Sequence, residues 1–241
     1  MSEFWYEDEL SVSDQALGGV SKKIARSIKS EVQPVSDELA HAARGIVRAQ
    51  KPDWKLLKPA EMKNVLDSGQ KGRFFKVRLV FEFEIPKKNF DRGARFVYAR
   101  CDAAIRSMGG PFLPEVYDIY PQDLYEGEQQ KVSLKFGPSI TVDKVGASIG
   151  EIGTDVALGQ IAPVVVGYFG DQKQEPHWEL RPRSRSLLGR QYLWLVLSLP
   201  EGCQGIRLFS RVEADVQTKF GPISVGPKNT AWDDRPAVVI R

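Results

Sequence analysis

The spacing of hydrophobic positions changes near Lys71, and that change divides the predicted architecture. Upstream, Leu17, Val20, Ile24, Ile28 and Val32 recur three and four residues apart after the N-cap candidates Ser11, Ser13 and Asp14. This spacing predicts an amphipathic helix with Lys22, Lys23, Arg26 and Lys29 on its polar side. Pro34 is expected to stop or kink it. A second helical pattern, Val35, Leu39, Ala42, Ala43, Ile46 and Val47, is entered through Ser36-Asp37-Glu38 and ends before Pro52. A short third helix is predicted from Pro59 through Met62, Val65 and Leu66 to Ser68-Gly69. Residues 1–69 thus read as a helical arm behind an acidic, aromatic peptide that contains Phe4-Trp5-Tyr6.

From Lys71 the period is two. Phe75, Val77, Leu79, Phe81, Phe83 and Ile85 alternate with mostly polar neighbours, which predicts a long half-buried strand ended by Pro86. Arg95 to Ile105 follows as another strand, and the same grammar returns as Tyr192 to Leu199, a Pro200-Glu201-Gly202 turn, and Ile206 to Thr218. Shorter strands are expected at Val164 to Phe169 and at Val238-Val239-Ile240, the last as an edge strand or a docking segment. The glycine-interrupted stretch Val145 to Pro163 reads as irregular strand or loop.

Two stretches resemble each other. Val97 to Ile105 reads in step with Leu208 to Val216, and Lys135-Phe136-Gly137-Pro138 returns as Lys219-Phe220-Gly221-Pro222, each copy written as strand, corner, strand. The fold expected is therefore mainly β: an antiparallel β-sandwich of two related halves, about 71–145 and 160–227, forming one domain over 70–241 and carrying an N-terminal α-helical arm. The internal duplication is unequal. Arg106 to Gln130 stands before the first motif copy, and its Gly109-Gly110-Pro111, Pro114 and Pro121 among Phe112, Tyr117, Tyr120 and Tyr125 predict a long aromatic loop of the kind that carries binding residues.

Composition narrows the function classes. Of 241 residues, 42% are apolar and 27% charged, and the net charge of +3 is too small to imply a nucleic-acid partner by itself. Two distant cysteines and two histidines make no zinc pattern. The acidic N-terminus differs from a secretory signal and no apolar run approaches the roughly 20 residues of a membrane span, so a cytoplasmic protein with reduced thiols is expected.

The candidate chemistry is sparse. Glu82 and Glu84 point to one strand face about 7 Å apart, but no nucleophile or metal signature accompanies them, and a solvated face accounts for both. His177 with Cys203 is the one Cys-His combination in the β region, and neither has nucleophile flanks, while Cys101 reads as a small core residue. No phosphate-binding glycine motif is present. No catalytic, cofactor-binding or metal-binding residue is assigned. Two basic groups remain: Arg181-Pro182-Arg183-Ser184-Arg185 beside Trp178, and the helix bearing Lys22, Lys23, Arg26 and Lys29.

These features point to a non-enzymatic protein-binding or assembly module, whose β body presents loops or an edge and whose helical arm engages a protein partner or another copy. The candidate partner-binding residues are Phe112, Tyr117, Tyr120, Tyr125, Trp178, Arg181, Arg183, Arg185, Lys22, Lys23, Arg26 and Lys29. The alternative is a peripheral membrane protein attached through the basic amphipathic helix.

Overall fold

Alternation of apolar and polar residues builds two antiparallel sheets that share one core. The structure is a computed structural model and describes residues 6–10, 12, 21–22, 24–26, 32–58, 72–110, 112–124, 135–136, 140–141, 164–170, 173–182, 186–227 and 231–241. In chain order the elements are β1 (Tyr6–Leu10), α1 (Val32–Ala42), β2 (Gly45–Ala49), β3 (Asp53–Leu56), β4 (Arg73–Glu84), α2 (Lys87–Asp91), β5 (Arg95–Ser107), β6 (Glu115–Tyr120) and β7 (Asp123–Leu124). They continue with β8 (Lys135–Phe136), β9 (Ile140–Thr141), β10 (Val164–Tyr168), β11 (His177–Arg181), β12 (Gly189–Leu199), β13 (Ile206–Thr218), β14 (Gly221–Val225) and β15 (Val238–Ile240). The first sheet runs β1-β2-β4-β12-β6, with β3 also on β4; the second runs β14-β13-β5-β11-β10-β7, with β15 also on β13. β8 and β9 pair with each other.

Each long strand sends every second side chain inward. Phe75, Val77, Leu79, Phe81 and Phe83 of β4 and Leu193, Leu195 and Leu197 of β12 meet Phe96, Cys101 and Ile105 of β5 and Leu208, Val212 and Val216 of β13. Burying a side chain of this size contributes about 1.5–3 kcal/mol, so these strands alone supply much of the force that holds the sheets together. Phe83 and Phe96 join the sheets edge to face, with centroids 5.5 Å apart.

The two successive strands β4 and β5 lie in different sheets, as do β12 and β13. β4 pairs antiparallel with β12, and β5 with β13. The β5–β13 register places Cys101 opposite Val212, Asp102 opposite Arg211 and Arg100 opposite Glu213.

Several expectations are corrected. Ile46 and Val47 belong to a strand, because Gly45 ends the helical pattern and β2 then alternates buried and half-buried positions. Pro34 lies within α1, where it falls in the first turn and its missing N–H would have had no intrahelical partner. Tyr6 begins a strand, not a free peptide, and β1, β2 and β3 build part of the region read as an arm into the first sheet. Ser21, Lys22 and Ile24 to Arg26 are helical, with Ser21 and Ala25 buried and Lys22 and Arg26 exposed. The stretch read as one long aromatic loop holds β6 and β7, because Val116 and Ile119 alternate into the core between prolines that delimit the strand. The third predicted helix, Tyr125 and Val145 to Pro163 lie outside the described residues.

The second motif copy turns β13 into β14 through Lys219-Phe220, braced by the Thr218 hydroxyl, which donates to the Gly221 carbonyl at 3.0 Å and accepts from the Phe220 N–H at 3.1 Å. Phe220 packs against the core and Lys219 forms an ion pair with Glu38.

Candidate functional site

β6 ends the strand order of the first sheet among the described residues, and its irregular pairing with β12 arranges the site. Val116 pairs with Leu197 and Asp118 with Val196, so Tyr117 is an extra residue in a bulge. Val116 and Ile119 stay in the core. Asp118 and Tyr120 share the sheet's outer face with Val196 and Trp194, and the next strand adds Lys76 and Arg78 to the same two rows. The rings of Tyr120 and Trp194 are 5.8 Å apart, those of Tyr192 and Trp194 stack at 6.1 Å, and Tyr117 meets Phe74 edge to face at 5.5 Å. Trp194 is 6% exposed and Asp118 4%, while Tyr117, Tyr120 and Tyr192 are half-buried.

Asp118 is incompletely satisfied. Its Oδ1 accepts the Ile119 N–H and the Gln122 side-chain amide, each at 2.8 Å. Its Oδ2 is enclosed without a hydrogen-bond partner among the described residues. Burial raises the carboxyl's pKa above its ordinary value, against the opposing effect of those two hydrogen bonds. Arg78 has a buried Nε in the same condition, although its guanidinium reaches Asp53 at 3.5 Å.

The loop leading into β6 projects Phe112 and Leu113, 58% and 61% exposed. It is held at both ends. The Gln204 backbone N–H donates to the Gly109 carbonyl at 3.1 Å, and the Gln174 side chain donates to the Pro114 carbonyl at 3.2 Å. Gly110, at φ +112°, passes so close to the turn after β12 that a Cβ would stand 2.4 Å from the Gly202 carbonyl oxygen. A cavity of about 430 Å³ opens beside this turn, lined by Gly72, Arg73, Leu199, Pro200, Glu201 and Gly202.

The second sheet's outer face carries alternating charges. Asp102, almost fully buried, accepts from Arg100 Nε at 2.8 Å and Arg211 Nε at 3.3 Å. His177 lies directly across from Asp102 and stacks on Tyr168 at 4.7 Å. Burial foremost, then Arg100, lowers the His177 pKa below its ordinary value. Arg181 ends β11 on this face, paired with Glu179 and over the Tyr98 ring.

Among the described residues, those predicted from the sequence do not form one site. Tyr117 and Tyr120 meet on β6, and Phe112 lies just before it; Trp178 is a fully buried core residue, which corrects its assignment to a binding surface. Its inward position follows from the strand alternation of β11, which buries Trp178 and Leu180. Arg181 lies on the other sheet, and Lys22 and Arg26 on the N-terminal helical residues. Tyr125, Arg183, Arg185, Lys23 and Lys29 are outside the described residues. Asp118 and Trp194 escape the sequence reading; Asp118 and Tyr120 around the apolar Ile119 were the available signal, hidden by the prolines on either side, which read as loop markers.

The other candidate chemistries are structurally engaged. Glu82 pairs with Arg190 and Glu84 with Arg48. Cys101 and Cys203 are buried and unbridged, and burial, assisted by Asp102, pushes the Cys101 thiol well above its ordinary pKa. Among the described residues no group of three His, Cys, Asp or Glu is placed to hold a metal ion, and no helix is long and apolar enough to cross a membrane. No protein-family model and no curated protein matches the chain.

Proposed function

We propose that this chain is a non-enzymatic binding or assembly module that engages a protein partner, or a second copy of itself, through the Phe112–Leu113 loop and the adjoining β6 face. One observation carries the reading: two neighbouring large apolar side chains are exposed on a loop whose backbone is tied down on both sides. A braced loop loses little entropy on binding, which favours use as a contact surface. The test is light scattering after size exclusion across a concentration series, together with affinity purification, for the wild type and Phe112→Ser/Leu113→Ser. Loss of an assembly or partner present with the wild type supports the reading; identical behaviour of the two proteins overturns it.

Two finer features belong to the same proposal. The halves derive from an internal duplication: around the Cys101–Val212 pair, Arg100 lies opposite Glu213 and Asp102 opposite Arg211, so each residue faces the equivalent of its neighbour. A cytoplasmic setting accords with two unbridged cysteines.

Peripheral membrane attachment is the second reading, supported by the exposed Lys22 and Arg26. Ile24 and Ala25 of the same helical segment pack on the core, so these two apolar residues are not available to lipid and the contact would rest on charge. Co-sedimentation with anionic and neutral vesicles tests it: pelleting with anionic vesicles, abolished by Lys22→Glu/Arg26→Glu, is expected.

A further inference from the structure

We infer that the cavity beside the turn after β12 is a binding site for a small zwitterion, a molecule carrying both an alkylammonium and a carboxylate group, with Arg73 as partner of the carboxylate and Glu201 as partner of the ammonium. This goes beyond the binding-module reading, because it assigns a free small molecule to a place apart from the exposed Phe112 and Leu113 side chains.

The cavity lies at one end of the sandwich. Arg73 and Leu199 are the last opposed pair of the β4–β12 ladder, and the chain then crosses through Pro200-Glu201-Gly202 to β13 in the other sheet. Its volume of about 430 Å³ falls within the roughly 300–1,000 Å³ of small-molecule sites. Its walls are fixed by backbone. The Cys203 N–H donates to the Pro200 carbonyl at 3.0 Å and closes the turn. A Cβ on Gly72, at φ +144°, would stand 2.6 Å from the Leu199 carbonyl oxygen, so the start of β4 and the end of β12 approach as closely as glycine allows. A cavity fixed in advance loses little free energy to ordering when a ligand enters.

Two opposite charges line this cavity without meeting. Arg73 and Glu201 are both exposed, and no N···O contact within 4.0 Å joins them. Neither forms an ion pair with any other described residue. The Arg73 guanidinium is anchored by donating to the Cys203 carbonyl at 3.2 Å, and it lies 5.8 Å from the centre of the Phe75 ring. A guanidinium carries five N–H donors in a fork that matches a carboxylate, so this one contact leaves donors for a ligand.

The charge pattern selects the ligand. An anion such as phosphate is attracted by Arg73 and repelled by Glu201, and a simple cation meets the reverse. A molecule that holds both charges satisfies both side chains at once. The other lining residues, Gly72, Leu199, Pro200 and Gly202, carry no charge. Because both charged side chains are exposed, each contact replaces one to water, and the affinity expected is modest.

The test titrates the full chain, at neutral pH and constant ionic strength, with free glycine, β-alanine, γ-aminobutyrate and ε-aminocaproate, which hold the same two groups at increasing separation. Acetate and methylammonium, each with one of the charges, are the comparison probes. Binding is read by calorimetry and by the backbone amide shifts of Gly72 and Gly202 in the isotope-labelled protein. Saturable binding of at least one zwitterion is expected with a Kd of about 1 mM or tighter, at least about tenfold tighter than either single-charge probe. Arg73→Gln and Glu201→Gln should each weaken it at least about tenfold. Glu201→Gln keeps the test decisive should Arg73→Gln unfold, because Glu201 is exposed on a turn and holds no other described residue in place. No zwitterion reaching this affinity, equal binding of a single-charge probe, or unchanged affinity in Glu201→Gln overturns the inference. Failure of every zwitterion leaves the outcome for Phe112→Ser/Leu113→Ser untouched, so the two proposals fall separately.

Discussion

The phenolic hydroxyl of Tyr6 lies 3.0 Å from the carbonyl oxygen of Ser210, 204 positions further along the chain, and donates to it. Ser210 sits on the stretch of β13 between the segments paired with β14 and β15, where no strand pairs with that edge among the described residues. Its carbonyl also accepts from Arg235 Nε at 2.8 Å, and the Arg235 guanidinium lies 4.9 Å from the centre of the Tyr6 ring. Side chains from both ends of the chain thus close a gap in a sheet edge.

Tyr6→Phe is expected to lower stability by about 1 kcal/mol, the net worth of a typical hydrogen bond, and the melting temperature by roughly 2–4 °C for a chain of this size. Arg235→Met should cost more, because it removes a charged donor from a buried carbonyl. Urea unfolding of both single variants and the double variant measures their coupling, and strict additivity would show that the two side chains act independently.

Asp102→Asn should destabilise by about 1.5–3 kcal/mol, the range for hydrogen bonds to charged groups. It weakens the contacts to Arg100 and Arg211, which remain close together on one sheet face. Thermal melts of the variant, alone and with Arg211→Ala, test this: the second change should cost much less in the Asn background than in the wild type.

His177 should titrate below its ordinary value of 6.5. The folded state then binds this proton less tightly than the unfolded chain, so the histidine's contribution to stability is present above about pH 6.5 and is lost as pH falls from there through the lower folded value. NMR titration of the ring gives the pKa directly. His177→Gln should remove this component from the pH dependence of the melting temperature.

Asp118 carries the opposite sign. Its folded pKa is raised, so the ionised form is disfavoured by folding, and the penalty is greatest above the folded pKa and vanishes as pH falls to the ordinary value of 3.8. Asp118→Asn should therefore raise the melting temperature at neutral pH relative to the wild type, with the difference disappearing in acid.

Gly45→Ala should be damaging despite its small size. The added methyl would stand 2.3 Å from the tip of the Phe96 ring, which already packs on Phe83. Overpacking of this kind costs about 1–3 kcal/mol. Chemical unfolding provides the measurement, and recovery in Gly45→Ala/Phe96→Leu identifies the clash as the cause.

The long central strands were legible because one face is apolar throughout: the expected Ile206 to Thr218 coincides with β13, and Phe75 to Ile85 marks the inner face of β4. Gly45 and the β-branched pair Ile46-Val47 were overridden by a run of helical spacing, and the prolines around β6 outweighed its alternation. The site was less legible for a geometric reason. Asp118 and Trp194 become neighbours only through the pairing of β6 with β12, and local periodicity carries no information about which distant strands pair.

That each pair of successive long strands separates into different sheets has a consequence for the chain's life before it is folded. The contacts that complete the centre span 108 positions between Glu82 and Arg190 and 109 between Asp102 and Arg211. Loop closure over such separations makes folding slow. During synthesis, at about 5–20 residues per second, β4 and β5 emerge several seconds or more before β12 and β13 exist to receive them. For that interval Phe75, Phe81 and Phe83 have no sheet partner on the β12 side, so apolar surface that the folded protein buries stays exposed on the nascent chain.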